Sequence, residues 1–253
     1  MTWRRFHHDI VDSTNERAFE AIDRGDARHG DLFIAGSQTA GRGTHGRTWE
    51  SAAGGLYLSA VLESDEVPAP GAWTIAGALA VHDVAITHGV EAQIDWPNDL
   101  VTPGGHKIAG VMAESRGLRA NGPAVFVLGI GLNVDAAALP PHLHASRRVS
   151  SLSELSSGLA LDEVEDTLAR ALEERVQEVS RAPETVYGAF FERCALAHRP
   201  VAVSGAQTGV EGTWTGLDPS LGLRIEGTDG TTRFVSVAHA RGVRPLDRGF
   251  GRR

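Results

Sequence analysis

The stretch GGHKIAG, residues 104–110, holds Lys107, the one lysine of the chain; the other 23 of its 24 Lys and Arg residues are arginine. On an exposed face the two cations are nearly equivalent, so a coding bias towards arginine removes surface lysines at little cost. They differ where a compact, rotatable ammonium must sit among several oxygens, because the guanidinium is a flat, wide fork. A solitary lysine is equally an accident of such a bias, and its neighbours have to decide between the two readings. Three neighbouring stretches carry chemistry of their own. GRGTHGRTW (41–49) is a glycine loop with Arg42 and Arg47 and an aromatic, Trp49, at its end. Backbone amides and guanidinium forks that close on a phosphate, beside an aromatic face for a base, suit a nucleotide. The same stretch can be a surface loop that happens to be basic. DWPNDL (95–100) sets Asn98 and Asp99 directly after a Trp-Pro turn. There they either cap backbone groups or offer an acceptor carboxylate for a metal or an attacking amine. GIGLN (129–133) puts glycines at the end of an apolar run. A missing side chain there lets a ligand touch backbone, or merely permits a tight strand crossing.

Gly41, Gly43 and Gly46 satisfy the dinucleotide pattern G-x-G-x-x-G. That fingerprint needs a helix opening at the glycines, and RTWESAAGGLYLS has no helical period. A P-loop fails too, because no Lys-Ser or Lys-Thr follows.

Sheet and helix elements must hold these stretches. STNE (13–16) reads as a capping box that opens a helix ended by Gly25. DLFIAG, LYLSAVL, AQIDW, DLVT, KIAGVMAES and AVFVLGIGLNV read as strands, the last apolar enough to be central. Small residues at helical spacing predict a helix over 70–88. Leu161, Val164, Leu168, Leu172 and Val179 mark a long amphipathic helix, and Pro183 separates it from another running to about His198. From Pro200 the pattern changes to short β-rich runs with turn chemistry, Asp229-Gly230 suiting a tight hairpin. The expected domains are 1–198, a small β-barrel over 199–247 docked on the first, and a loose tail, 248–253.

Composition narrows the classes. The net charge of −8 argues against a general nucleic-acid binder, which needs a basic face. One cysteine, Cys194, excludes a disulfide framework and a multi-cysteine zinc site. Neither a signal peptide nor a membrane span is visible, which points to the cytoplasm.

Taken in order, DSTN (12–15), QTAGRGTHGRTW (38–49), WPND (96–99), KIAGV (107–111) and GIGLNV (129–134) resemble the biotin protein ligases, and GTWTGLDPSLGLRI resembles their C-terminal domain. The resemblance covers essentially the whole chain. It implies an α+β fold, a mixed and largely antiparallel sheet flanked by helices, related to lipoate ligases and class II aminoacyl-tRNA synthetases, with a small C-terminal SH3-like barrel. It implies that biotin and MgATP give biotinyl-5'-AMP and pyrophosphate, and that a lysine of a biotin carboxyl carrier protein, an acetyl-CoA carboxylase subunit, then takes the biotinyl group. A homodimer is implied, as is the ligase-only type, since no helix-turn-helix precedes residue 13. Ser13, Thr14, Asn15 and Gln38 are similar in place to residues that bind the ureido ring, with Gly41, Gly110 and Gly129 around it. Arg42 and Arg47 match arginines meeting the carboxylate and phosphates, and Trp49 an aromatic beside the adenine. Lys107 matches the lysine bridging carboxylate and α-phosphate. Arg42, Lys107 and Asp99 make the catalytic set, and Asn98 and Asn133 complete the adenylate side. No direct protein metal site is implied: Mg2+ arrives with ATP, with Asp99 the candidate carboxylate for it. Two other readings compete: a lipoate or octanoate ligase or transferase of the same fold, and a catalytically silent biotin-binding protein.

Two departures from the family pattern remove positive charge: Thr44 replaces a second loop arginine, and Asp95 replaces a lysine before WPND. Each charge-assisted hydrogen bond to a bound phosphate contributes about 1.5–3 kcal/mol. Thr44→Arg should therefore slow release of preformed biotinyl-AMP by roughly 10- to 100-fold. Stopped-flow release of the preformed intermediate checks this. Asp95→Lys, at a strand end facing solvent, is expected to change release little.

Overall fold

The computed structural model describes residues 3–65, 68–69, 71–115, 123–139, 142, 149–205 and 209–246. The expected tail, 248–253, lies outside them. Seven strands form one sheet in the order β1-β2-β3-β7-β6-β5-β4. They are β1 (Arg4–Val11), β2 (Asp31–Gln38), β3 (Leu56–Ser64), β4 (Gln93–Asp95), β5 (Asp99–Val101), β6 (Lys107–Glu114) and β7 (Ala124–Leu132). Only β1 and β2 run parallel; every other neighbouring pair is antiparallel. The mixed sheet of the sequence reading is therefore present.

The strand period of two divides the sheet into unlike faces. Leu56, Leu58, Ala60 and Leu62 of β3, with Leu128, Ile130 and Leu132 of β7, enter the main core. Helix α2 (Ala72–Thr87) covers this face. Its Gly77 lets it come close, since a Cβ there would lie 2.7 Å from Val111 Cγ1. Beyond α2 pack α4 (Leu161–Arg181) and α5 (Pro183–Arg193), while the single turn α3 (Leu152–Leu155) follows β7. On the opposite face, α1 (Thr14–Arg24) packs Ala18, Phe19 and Ala21 against Phe33, Val61, Val125 and Val127. The α1 side is thus covered at one end.

The local reading is corrected at three places. β1 was not legible: RRFHHDIV has few apolar residues because it is an edge strand, held instead by the Arg4–Asp31 pair (2.8 and 2.6 Å). Gly25 ends α1 in the left-handed conformation as expected, but Ser13 makes no side-chain cap. The first helical amide, Thr14 N–H, donates to Gln38 Oε1 (2.8 Å) instead. Glu16, the presumed second half of the capping box, pairs with Arg42. The last long helix ends at Arg193 rather than near His198; Cys194 leaves helical geometry and Ala195 N–H joins the Ile94 carbonyl.

The C-terminal strands β8 (Pro200–Ser204), β9 (Val210–Asp218), β10 (Gly222–Glu226), β11 (Thr232–Val235) and β12 (Gly242–Pro245) form a second, antiparallel sheet in the order β11-β10-β9-β8-β12. It is not the closed barrel expected. Its central Trp214 is fully buried, and rings from the first unit cover it: Trp96 at 5.6 Å and Phe191 at 5.3 Å between centroids. A core completed from outside removes the need to close. Trp96 Nε1 also donates to the buried Ala240 carbonyl (2.9 Å). Trp96→Phe keeps an aromatic edge contact but leaves that carbonyl unsatisfied, which costs about 1–3 kcal/mol. Urea unfolding of the variant should give an unfolding free energy lower by that amount, with the C-terminal sheet losing protection first.

Candidate active site

The open part of the α1 face forms a cavity of about 260 Å³. Its floor is β6 and β7, where alternation puts Gly110, Met112, Gly129 and Gly131 on one face, and its roof is the loop 41–49. The glycines are sterically required. A Cβ at Gly131 would lie 2.4 Å from Trp49 Cε2, one at Gly110 2.9 Å from Trp49 Cζ3, and one at Gly129 2.4 Å from Asn15 Oδ1. Trp49 therefore lies flat on two glycines and Asn15 on the third.

At one end Lys107, opening β6, meets Asp99, opening β5: Nζ to Oδ2 is 2.7 Å. The ammonium also sits 5.0 Å from the centre of the Trp49 ring, a cation–π contact. Asn98 Nδ2 donates to the Val111 carbonyl (2.7 Å), and Asn133 Nδ2 to Ser150 O (3.0 Å) and Lys107 O (3.5 Å). Both asparagines line the cavity, yet their amides brace the backbone around Lys107.

The other end is a hydrogen-bonded group. Thr14 Oγ1 lies 3.2 Å from Gln38 Oε1, and Gln38 Nε2 donates to Ser51 Oγ (2.7 Å). Ser59 Oγ stands 2.7 Å from Thr14 Oγ1 and 2.6 Å from Asn15 Oδ1. Ser13, Thr14, Asn15 and Gln38 are brought together as the sequence reading proposed. Ser59, Tyr57, Met112 and Glu114 were missed. The signal was present for two of them: alternation in LYLSAVL puts Tyr57 and Ser59 opposite Leu56 and Leu58, and a serine inside such a strand needs a polar neighbour. The Tyr57 hydroxyl donates to Ala52 O (2.7 Å) and burial pushes it up to about 12, so it stays neutral.

The loop departs from expectation. Its arginines were read as forks that close on a phosphate. Arg42 instead pairs with Glu16 and with Glu114 (2.9 Å). Arg47 folds back onto Thr44, its Nε to the carbonyl at 3.2 Å and its Nη2 to Oγ1 at 3.1 Å. Gly43 N–H to Arg47 O and Trp49 N–H to Gly41 O close the loop into a hairpin. At Gly41 a Cβ would lie 2.4 Å from the Trp49 carbonyl, so only glycine fits.

Asp95 also departs from expectation. The residue is exposed at its outer side, yet its carboxyl is partly desolvated and stands across β4 and β5 from Asp99. Desolvation and then the Asp99 charge raise its carboxyl; Lys107 opposes them. It is therefore electrically part of the site rather than screened from it.

The mixed seven-stranded sheet thus carries a glycine-floored pocket with a lysine–aspartate pair at one end and a hydrogen-bonded polar group at the other, the layout of a ligase fold. The comparisons agree. A biotin protein ligase from Aquifex aeolicus in complex with biotin and ATP superposes with a TM-score of 0.79 at 23% identity, covering 96% of this chain and 99% of that one. The Biotin/lipoate A/B protein ligase family model matches residues 8–134. A biotin--[acetyl-CoA-carboxylase] ligase of Paracoccus denitrificans is 32% identical over 238 residues, 87% of this chain and 93% of its own length. The chain belongs to the biotin/lipoate A/B protein ligase family. It spans only 40% of another relative, the bifunctional ligase/repressor BirA of Bacillus subtilis, 33% identical over 133 residues, 51% of this chain.

The raised Asp95 carboxyl has a definite sign. A folded-state pKa above the unfolded one means that the charged form opposes folding. Its stability contribution is present below the unfolded value and is lost as pH rises through the folded one. Asp95→Asn should therefore raise stability at neutral pH, with the gain vanishing below about pH 4. Urea unfolding at the two pH values checks this; an equal effect at both would contradict it.

Proposed function

We propose that this chain is a biotin–protein ligase, which activates biotin with ATP as biotinyl-5'-AMP and transfers it to a lysine of a carrier protein. The observation that carries the reading is the pairing of Lys107 and Asp99 at one end of a pocket whose other end offers the mixed donors and acceptors a cyclic urea needs. Thr14, Asn15 and Gln38 bind the ureido ring, with Ser13 beside them and the buried Ser59 hydroxyl bracing Thr14 and Asn15 from behind. The side chain of biotin then runs over Gly129, Gly131 and Gly110 towards Lys107.

In the first step a carboxylate oxygen forms a bond to the α-phosphorus and the bond to pyrophosphate breaks. Charge develops on both the carboxylate and phosphate oxygens, and a point cation at Lys107 stabilises it. In the second step the carrier amine forms an amide and the bond to AMP breaks, with AMP leaving. Asp99 is placed to take the amine's proton. Trp49 offers its face to the nucleotide, and its Nε1 is buried without a hydrogen-bond partner among the described residues. Arg47, Asn98 and Asn133 line the same side. Among the described residues no three His, Cys, Asp or Glu side chains gather to hold a metal. We take Mg2+ to enter with ATP, with Asp99 the candidate carboxylate beside it.

The relatives' names supply the partner: the carrier is a subunit of acetyl-CoA carboxylase, as for the Paracoccus ligase. We place the division into a catalytic part, 1–198, and a C-terminal part, 199–247, at the change of sheet, and take the protein to be a cytoplasmic homodimer. Among the described residues no helix is long and apolar enough to cross a membrane. The polar, hydrogen-bonded end of the pocket disfavours lipoate or octanoate, which need an apolar tunnel. Scanning fluorimetry should accordingly show stabilisation by biotin and none by lipoate.

Biotin-dependent pyrophosphate release tests the proposal directly; its absence would leave a silent binding protein. Lys107→Arg should reduce that release by about 10²-fold or more while urea unfolding stays near wild type. Release within about threefold of wild type would remove Lys107 from the bridging role.

A further inference from the structure

Glu114 ends β6 where the pocket meets α1, and both of its carboxylate oxygens are used. Oε2 accepts from Asn15 Nδ2 at 2.8 Å, and Oε1 pairs with Arg42 Nη2 at 2.9 Å. Each contact has a consequence. A carboxylate can only accept, so Glu114 forces the donor side of the Asn15 amide towards itself and leaves Oδ1 facing the Ser59 hydroxyl at 2.6 Å. The same carboxylate, with Glu16, gives the loop guanidinium two resident anions. Pairing Arg42 draws the hairpin 41–49 down over the floor, where Trp49 reaches Gly110 and Gly131.

We propose that Glu114 is a positioning residue: one carboxylate fixes the orientation of the Asn15 amide and anchors the loop that roofs the pocket, so that both are preformed before substrate binds. The assignment deepens the biotin reading and rests on it for the affinity arm alone. Glu16 shares Arg42 with Glu114, whereas the bond from Asn15 Nδ2 goes to Glu114, so the two glutamates are separable. Arg42 is then primarily the anchor of the loop, and an incoming carboxylate has to share it with Glu114.

The test uses the full chain without ligand first. Glu114→Gln presents an amide N–H2 to a neighbour that is itself a donor, so one of the two contacts must break. Hydrogen exchange of the amides from Gly41 to Thr48 should rise by about tenfold or more, the scale of one lost charge-assisted hydrogen bond. In pyrophosphate release the KM for biotin should rise by about tenfold, with the KM for ATP changed by less than about twofold. Glu16→Gln should loosen the loop with a smaller effect on the biotin KM. The decisive variant is the double exchange Asn15→Asp with Glu114→Gln. It reverses the polarity of the contact, so Gln Nε2 donates to the new carboxylate while Gln Oε1 still accepts from Arg42 and net charge is kept. Loop protection in this double variant should return to near wild type, which a packing role for Glu114 would not produce. Loop exchange and biotin KM both within about twofold of wild type in Glu114→Gln would overturn the proposal. So would a folded double variant whose loop stays unprotected, and that arm stands alone should Glu114→Gln not fold. The exchange arm needs no biotin, so its outcome is independent of the substrate reading, which fails only if the wild-type enzyme releases no biotin-dependent pyrophosphate.

Discussion

The absence of three side chains governs the site. Gly110, Gly129 and Gly131 fall on one face of adjacent antiparallel strands, and no other residue type leaves the depth that Trp49 and Asn15 occupy. From that floor the rest follows. Trp49 can lie flat only because two glycines accept it, and its ring then provides a wall against which the Lys107 ammonium rests. Asn15 can reach the strand only over the third glycine, and there it joins Ser59 to the first turn of α1. The sheet supplies the rigidity; the glycines convert a filled core face into a container.

Charge is distributed so that each cation of the pocket has a partner within the protein. Lys107 has Asp99, Arg42 has Glu16 and Glu114, and Arg47 has the Thr44 oxygens. Such pairing lets a chain with a net charge of −8 keep a compact, closed loop without an external anion. An incoming anion would have to exchange with resident partners rather than fill an empty cationic hole. Asp95 is the exception, a second carboxylate across from Asp99 whose ionisation the site resists. Its presence tempers the field around Lys107 in a way that a lysine at that position would reverse.

The second sheet is joined to the first through a small aromatic cluster in which Trp96 is central. Its ring packs edge-on to Trp214 and Phe190, and its indole N–H holds the Ala240 carbonyl. Since Trp96 immediately precedes the turn that delivers Asn98 and Asp99, docking of the C-terminal sheet and placement of the Asp99 carboxylate share one residue.

The sequence by itself determined what local chemistry encodes. Alternation in LYLSAVL and AVFVLGIGLNV, the small-residue helix, the left-handed stop at Gly25 and the solitary Lys107 were all legible, because each rests on residues near one another in the chain. The ordered motifs brought Ser13, Thr14, Asn15, Gln38, Trp49, Asp99 and Lys107 into one site before any coordinates. Only the tertiary structure decided the rest. RRFHHDIV became an edge strand because Asp31, 27 residues away, holds Arg4. STNE gave up its capping box because Gln38 and Arg42 offered better partners to its polar groups. The C-terminal strands stayed open because Trp96 and Phe191 fill their core. Glu114 was unremarked in KIAGVMAES because a carboxylate's role depends on which donors the fold sets against it, and those donors lie 72 and 99 positions away.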